Sequence, residues 1–362
     1  MALLGLESPP EVIHVVGTNG KGSVSAAVAA GLAAAGRRTG RFISPHIVDF
    51  RERIAVDGVW IGEASVIEFV QALPPLEPTP AFFELTLALA LQHFAREGVK
   101  VAVIEAGVGA KHDATGALEN ISGVVITTIG RDHLDTLGPT VEDIAGDKAE
   151  AIREEVWTVT GAEGKGLEVI QHVAATRHSP LHVRGTENPL FEISAGADLT
   201  PTQRHNRELA AAALRLQGVG EAAIVTGLEA RLPARAERFW LMGKEVLLDG
   251  AHNPSAAASL LEHTRPPFTL LFGALPKKLG AETLAVLEPH TSRVILTNAS
   301  PGEATALQRE DLAFVPEPLW ALERALSLCG EGEQVVVAGS FYLAGTLRPW
   351  LLVRASALLP RR

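Results

Sequence analysis

The sequence predicts an α/β protein with two domains: an N-terminal phosphate-loop ATPase-type domain built on a parallel sheet, and a smaller Rossmann-like α/β domain after it. Three observations support this prediction. The chain has 362 residues, which is more than one hydrophobic core usually fills, and 47% of them are apolar. Short β-branched runs alternate with helical stretches. One of these runs breaks into a glycine-rich turn that carries a lysine.

The first part of the chain shows the pattern of a parallel sheet with helices on both faces. Strands buried on both faces read as short, nearly continuous apolar runs, and helices connect them. The predicted strands are Val12 to Val16, Val101 to Glu105 and Val124 to Thr128, and the predicted helices are Ser23 to Ala35 and Phe83 to Phe94. The stretch from Gly161 to Pro201 mixes Gly, Thr, His and Pro, and predicts short strands or loops at the edge of this domain.

A second set of strand patterns predicts the smaller domain. Its strands are expected at Glu245 to Asp249, Phe268 to Phe272, Val294 to Leu296 and Val335 to Ala338. An alanine-rich helical segment, Glu208 to Leu216, and its successor end at Pro233 before this set begins. The boundary is therefore expected within a few residues of 235, giving domains 1–234 and 235–362.

Charge and composition exclude several classes of partner. The 42 acidic and 32 basic residues give a net charge of −10, which argues against binding a nucleic-acid backbone. No apolar run reaches the ~18 residues of a membrane span, and Gly5 interrupts the apolar start, so no secretory signal is visible. The single Cys329, expected at a core or helix end, fits a reducing compartment. We expect a cytoplasmic monomer that binds small molecules, with no nucleic-acid or membrane partner.

The glycine-rich turn has the features of a nucleotide phosphate site. Its glycines let backbone N–H groups point inward, and the helix that follows favours anions at its N-terminus. Lys21 would reach the β- and γ-phosphates of a nucleotide, and Ser23 would bind Mg²⁺. The alternative is an ordinary strand-to-helix turn, but a lysine in so tight a turn is costly without an anion. The turn comprises Gly17, Thr18, Asn19, Gly20, Lys21, Gly22 and Ser23.

Polar residues follow two further predicted strands. Glu105 ends the second strand, where a cation such as Mg²⁺ would offset the cost of desolvating the carboxylate. The alternative is a structural role, as a helix cap or a partner of Lys111. His133 and Lys148 come after the third strand. Each alone has a common structural explanation, as a core or capping histidine and as a solvated helix lysine.

Several short motifs together resemble one enzyme family. Their order and spacing are similar to those of folylpolyglutamate synthase and the bifunctional dihydrofolate synthase, in the Mur ligase superfamily. General phosphate loops place Ser or Thr directly after Lys, whereas Gly22 intervenes here, as it does in this family. The motifs are the loop GTNGKGS, Ser44-Pro45-His46, Phe82-Phe83-Glu84, Asp113-Ala114-Thr115, Asp132-His133, Lys148, Asp249 to Pro254 and Gly339 to Leu343.

The resemblance implies a role for each matching residue. The loop residues would hold ATP, with Glu105 and His133 joining Ser23 as metal ligands, and Lys148 would be carbamylated so that it offers the metal an oxygen. Lys21, Lys148 and His133 would be the catalytic residues. From the second domain, Arg235, Asp249 and His252 would contact the nucleotide. Substrate contacts are implied for Ser44, Pro45, His46, Phe83, Asp113 and Ala114, the last two near a dihydropteroate pterin.

The implied activity is an ATP-dependent amide ligation. L-Glutamate would be added to dihydropteroate, to the γ-carboxylate of reduced folates, or to both, through an acyl phosphate. In this interpretation residues 1–234 form a Mur ligase central-type ATP-binding domain and residues 235–362 a glutamate ligase domain. The alternatives are another amino-acid ligase of the superfamily, a phosphate-loop kinase or regulator, and a degenerate homologue without ligase activity. The last is motivated by Leu209 and Gly116, which replace residues typical of the family.

Overall fold

The chain divides into an N-terminal unit, Met1–Leu232, and a C-terminal unit, Pro233–Arg362. The computed structural model describes residues 10–75, 77–193, 198–276, 279–300, 307 and 309–355. The apolar start of the chain, which bears on the expected absence of a secretory signal, lies outside these residues. Within them, no helix is both long and apolar enough to cross a bilayer.

The N-terminal unit is built on one mixed sheet. Its strands, as far as the described residues show, are β1 (Glu11–Val16), β2 (Thr39–Phe42), β3 (Ile54–Val56), β4 (Val59–Trp60), β5 (Val101–Glu105), β6 (Ile121–Ile126), β7 (Thr158–Thr160) and β8 (Leu181–Val183). Their order across the sheet is β4-β3-β2-β5-β1-β6-β7-β8. The strands from β2 to β8 in this order pair in parallel, while β3 and β4 pair antiparallel at one edge. The carboxyl ends of β5, β1 and β6 therefore lie side by side.

Helices cover both faces of this sheet. They are α1 (Lys21–Ala34), α2 (Glu63–Ala72), α3 (Phe82–Arg96), α4 (Leu134–Leu137), α5 (Val141–Ala149), α6 (Gly164–Thr176), α7 (Pro201–Leu216) and α8 (Glu221–Leu228). Alternate residues of β1 point to opposite faces of the sheet. Ile13 and Val15 pack in a core with α1, α7 and α8, whereas Val12 packs in a core with α3. This arrangement confirms the predicted fold class.

Two predictions for this unit need correction. The stretch from Gly161 to Pro201 contains the 13-residue helix α6, because Leu167, Ile170 and Ala174 recur at helical spacing and pack beneath β6. The third predicted strand stops at Ile126 rather than at Thr128. Thr127 and Thr128 leave the strand because they bind the glycine-rich loop, as described below.

The C-terminal unit is a second, smaller α/β sheet. Its described strands are β9 (Glu237–Leu241), β10 (Lys244–Leu248), β11 (Phe268–Phe272), β12 (Thr291–Leu296), β13 (Ala313–Phe314) and β14 (Gln334–Ala338), and its described helices are α9 (Pro254–Leu261), α10 (Gly280–Leu287), α11 (Pro318–Leu328) and α12 (Phe341–Ala355). The order is β13-β12-β11-β14-β10-β9, with only β9 antiparallel among these strands.

All four predicted strands of the C-terminal unit are present, with ends that differ by up to three residues. The prediction omitted β9, which forms a hairpin with β10, and the two-residue β13. Cys329 ends α11 with its side chain buried, as predicted. The carboxyl ends of β10, β11 and β14 lead into Asp249, Gly273 and Gly339, so polar and glycine residues again gather where the parallel strands end.

The tight packing of α1 against α8 gives a first prediction. A Cβ on Gly227 would lie 2.6 Å from the carbonyl oxygen of Ala27 and 2.7 Å from the Cα of Gly31. Because backbone cannot yield as a side chain does, we expect Gly227→Ala to lower the free energy of unfolding by about 1–3 kcal/mol. The helical Gly146 has no neighbour within 4 Å of such a Cβ, so Gly146→Ala is the matched control. Urea denaturation of both variants checks this, and equal midpoints would contradict it.

Candidate active site

The glycine-rich loop connects β1 to α1 and is shaped by two close approaches. Gly17 has φ +143°, and a Cβ there would lie 2.0 Å from the hydroxyl oxygen of Thr127. Gly20 has φ +86°, and its Cβ would lie 2.4 Å from the amide oxygen of Asn206. A side chain at either position would be strained and would collide with its neighbour. Both glycines are therefore required by the shape of the loop.

Hydrogen bonds hold this loop to the residues that follow β6. The Thr18 N–H donates to the carbonyl of Thr128 at 2.8 Å, and the Thr18 hydroxyl donates to the Gly130 carbonyl at 3.1 Å. The Thr127 hydroxyl donates to the carbonyl of Asn19 at 2.6 Å. Because these bonds join two loops at adjacent strand ends, they fix the loop before any ligand binds.

Lys21 is the first residue of α1 and folds back over the loop. Its Nζ donates to the carbonyl oxygens of Gly17 and Thr18, at 3.2 and 3.3 Å. Ser23 lies in the first turn of the same helix and is half-buried. A cation, a hydroxyl and the N-terminus of a 14-residue helix thus occupy one place, which suits an anion.

Glu105 ends β5 with only 3% of its surface exposed. One carboxylate oxygen accepts a hydrogen bond from the backbone N–H of Ser44 at 3.1 Å, so this carboxylate is linked to the loop that follows β2. In that loop, the ring Nδ1 of His46 accepts from Arg53 Nε at 2.8 Å. Burial, followed by the charge of Arg53, lowers the pKa of His46, which favours the neutral ring that accepts this bond.

Two aromatic side chains pack against each other at the end of β2. The rings of Phe42 and Phe83 lie 5.5 Å apart, and Phe83 also lies beside Gly107, where a Cβ would be 2.9 Å from its ring. Asp113 lies against the same glycine and caps the 3₁₀ helix Ala114–Ala117. Phe83 and Asp113, predicted from separate motifs, are therefore neighbours.

Lys148 lies near the end of α5 with 4% of its surface exposed. Burial, followed by the charge of Lys21, lowers its pKa to about 7, against the opposing effects of Asp147, Asp132 and Asp113. The amine is therefore substantially neutral near pH 7. The glycine-rich loop, the Asp113 motif and the Asp132 motif all come close enough to act on this one amine.

His133 follows Asp132 in the chain and has a left-handed backbone, with φ 50°. Its N–H donates to a carboxylate oxygen of the buried Asp132 at 2.8 Å, which holds the turn in place. Among the described residues, no three His, Cys, Asp or Glu side chains form a group that could hold a metal ion. A metal site here therefore depends on donors of other types, such as a hydroxyl or a modified lysine.

Two of the predicted residues of the C-terminal unit contact one aromatic ring, and a third, Asp249, binds backbone N–H groups. The guanidinium of Arg235 lies 4.2 Å from the centre of the Phe341 ring, and the His252 ring contacts the same ring edge-on at 5.2 Å. Gly250 makes room for this ring, because a Cβ there would overlap it. The two carboxylate oxygens of Asp249 accept from the N–H groups of Ala251 and Ala236, each at 2.7 Å. Burial raises the pKa of Asp249.

Several residues of this site were not among the predicted ones. Thr127 and Asp147 bind the loops through hydrogen bonds that no spacing reveals; the Asp147 carboxylate accepts from the N–H of Ala110 at 2.7 Å. Leu209, which replaces a residue typical of the family, is fully buried in the core with α1, and the amide beside the glycine-rich loop belongs to Asn206. Three motifs quoted for the family contain such residues: Asp132 in Asp132-His133, Thr115 in Asp113-Ala114-Thr115 and Phe341 in Gly339 to Leu343.

The fold and these loops define a class: a phosphate-loop protein in which a parallel-sheet unit is followed by a second α/β unit. Models of two Mur ligase domains match the chain, the middle domain at residues 15–156 and the glutamate ligase domain at residues 234–341. The dihydrofolate synthase/folylpolyglutamate synthase of Bacillus subtilis is 30% identical over 96% of this chain and 92% of its own length. The chain belongs to the folylpolyglutamate synthase/dihydrofolate synthase family of Mur ligases, which are ATP-dependent ligases.

Other relatives support the same family. A probable bifunctional folylpolyglutamate synthase/dihydropteroate synthase of Haloferax volcanii is 32% identical over 93% of this chain, and the match spans 45% of that longer protein. A solved folylpolyglutamate synthase of Mycobacterium tuberculosis, complexed with ADP and AMPPCP, is 28% identical with a TM-score of 0.86 over 97% of this chain and 93% of that chain. The structure of E. coli FolC in complex with DHPP and ADP is 28% identical, with a TM-score of 0.85 over 98% of this chain and 91% of that chain.

Proposed function

We propose that this protein uses ATP to add L-glutamate to dihydropteroate, to the γ-carboxylate of reduced folates, or to both. The observation that carries the proposal is the buried Lys148, whose pKa responds to Lys21, Asp132 and Asp113 from three separate motifs. A kinase-type phosphate loop alone would not need these groups together. The names of the relatives and the nucleotides in their solved structures support the same activity.

Residues 17–23 of the loop are assigned to the phosphates of ATP. Lys21 supplies the charge that opposes the phosphate oxygens, and the N–H groups at the start of α1 supply donors. In the C-terminal unit, Arg235, Asp249 and His252 are assigned to the nucleotide, and Asp249 also holds the backbone beside the other two. Substrate contacts are assigned to Ser44, Pro45, His46, Phe83, Asp113 and Ala114.

The residues at the strand ends fit Mg²⁺. Magnesium prefers oxygen ligands, and Ser23 and the buried Glu105 offer a hydroxyl and a carboxylate. His133 and, once carbamylated, Lys148 complete the assigned ligands. The modification needs a neutral amine, which attacks CO₂ to give a carbamate and one proton. When bound, the ion would neutralise charge on the phosphates.

The reaction that follows has two steps. The carboxylate of the acceptor attacks the γ-phosphorus of ATP, forming an acyl phosphate and releasing ADP, while Lys21 opposes the charge that spreads over the phosphate oxygens. The amine of glutamate then attacks the acyl carbon, loses a proton and displaces phosphate, forming the amide. The proposed enzyme acts as a cytoplasmic monomer and needs no other partner for this chemistry.

The function is tested by measuring ADP release with ATP and Mg²⁺, with and without glutamate, offering dihydropteroate and tetrahydrofolate in separate reactions. Turnover that requires glutamate and dihydropteroate establishes dihydrofolate synthase activity, and turnover with tetrahydrofolate establishes glutamate addition to folates. Lys21→Met is the inactive control. No turnover with either acceptor, despite measurable ATP binding, would favour the degenerate homologue instead.

Carbamylation of Lys148 gives a second prediction. Under ¹³CO₂, we expect a carbamate ¹³C resonance that grows as the pH rises through about 7, because only the neutral amine reacts and the pKa of Lys148 is lowered to about 7. The resonance should vanish in Lys148→Ala, and kcat should fall by about a hundredfold, as for loss of one group that stabilises the transition state. Lys165→Ala, at an exposed lysine, is the matched control. A resonance that survives in Lys148→Ala would refute the assignment.

The Phe341 ring gives a third prediction. Since it contacts both Arg235 and His252, we expect Phe341→Ala to raise the KM for ATP by about threefold to tenfold, which corresponds to losing one cation–π contact. The KM for glutamate should change less. Tyr342→Ala removes the exposed neighbouring ring and should leave both constants unchanged. Steady-state kinetics checks this, and equal effects of the two variants would contradict the role given to Phe341.

A further inference from the structure

His14 is a polar residue in an apolar place. It lies in the middle of β1, completely buried, between Ile13 and Val15. Those two residues face the core with α1, so the imidazole projects from the opposite face of the sheet. Neither the phosphate loop nor the proposed mechanism uses this side chain.

The imidazole begins a chain of hydrogen bonds that ends at Asp113. His14 Nε2 lies 2.9 Å from the hydroxyl oxygen of Thr115, which is itself fully buried. That hydroxyl lies 2.5 Å from a carboxylate oxygen of Asp113. A carboxylate only accepts, so the one hydroxyl proton goes to Asp113, and the hydroxyl oxygen must accept from His14. Nε2 therefore carries the hydrogen.

The other ring nitrogen and the electrostatics agree with this assignment. In the Nε2–H tautomer, Nδ1 carries a lone pair, and in the described part of the chain it has no hydrogen-bond partner. Burial, followed by the charge of Arg153, lowers the pKa of His14 to about 3. The ring is therefore neutral at physiological pH, so it acts as a fixed donor rather than as a proton carrier.

Asp113 in turn organises its own loop. Besides the Thr115 hydroxyl, its carboxylate accepts from the backbone N–H groups of Val108 and Thr115, at 2.9 and 3.0 Å. The second carboxylate oxygen lies against Gly107, beside the ring of Phe83. Its orientation thus determines the shape of residues 107–115, where the acceptor is assigned.

We propose that His14 is a positioning residue that, through the Thr115 hydroxyl, fixes the Asp113 carboxylate for binding the pterin of the acceptor. This inference rests on the proposed function, which assigns Asp113 to the acceptor. His14 does not touch the substrate. Its loss should therefore weaken acceptor binding selectively, leaving ATP binding in place.

Two matched pairs of variants test the proposal. His14→Gln can place an N–H near the position of Nε2, whereas the shorter side chain of His14→Asn reaches only the position of Nδ1. Thr115→Ser keeps the hydroxyl, and Thr115→Val removes it with little change of shape. We expect His14→Asn and Thr115→Val each to raise the acceptor KM by about tenfold, as for one lost buried hydrogen bond, with the KM for ATP unchanged. The conservative variants should bind acceptor like the parent protein.

A double variant and one spectrum complete the test. His14→Asn combined with Thr115→Val should bind acceptor no worse than either alone, because both break one chain of bonds. The ¹⁵N spectrum of the parent protein should show the Nε2–H tautomer at His14, and this readout does not depend on activity. If the parent turns over neither acceptor, the proposed function fails while the tautomer still reports the hydrogen bond. An unchanged acceptor KM in Thr115→Val, or an Nδ1–H tautomer, would overturn the positioning role.

Discussion

The N-terminal unit depends on the close packing of the glycine-rich loop against the residues that follow β6. Gly17 has no room for a side chain beside Thr127, and Asn19 and Thr128 bind each other across the same boundary. Because β1 pairs in parallel with both β5 and β6, the carboxyl ends of the three strands meet at one edge of the sheet, where this contact lies. Groups on those ends are therefore positioned by the sheet itself, which is more rigid than a surface loop.

The same edge contains more buried charge than stability alone would favour. Glu105, Asp132 and Lys148 each expose at most 6% of their surface. Removing a charged group from water is costly unless an opposite charge or a set of donors compensates, and a buried lysine commonly responds by losing its proton. The lowered pKa of Lys148 shows this response. Such groups persist at one place when chemistry requires them, which is why perturbed pKa values mark functional sites.

The sequence predicted the parts of the fold that depend on local patterns. The central strands and the helix after the glycine-rich loop follow from apolar runs and glycine placement. The edge strands β3 and β4 were not predicted, since three and two residues give no usable periodicity. Helix α6 was missed because its glycines and polar residues masked a regular apolar face.

The site was predictable as a set of motifs but not as an arrangement. The resemblance singles out Lys148 and Asp113, yet it does not show that Lys148 lies near both Lys21 and Asp113, which are 127 and 35 positions away along the chain. The helix α7 shows the same limit at short range. Leu209 and Asn206 are three residues apart, and only the orientation of the helix decides that the first enters the core and the second meets Gly20.

In the C-terminal unit, backbone strain around Arg235 indicates that its position matters. Ala234 and Ala236, on either side, both have left-handed backbones, with φ 52° and 50°. For residues other than glycine this conformation costs about 1 kcal/mol or more each. It persists because Glu237 accepts from the N–H of Ala234 and Asp249 accepts from that of Ala236. Asp249 thus stabilises the backbone next to Arg235. The Phe341 ring contacts the guanidinium at the other end of the Arg235 side chain. If Arg235 contacts the nucleotide as proposed, a side chain held at both ends loses less conformational freedom on binding.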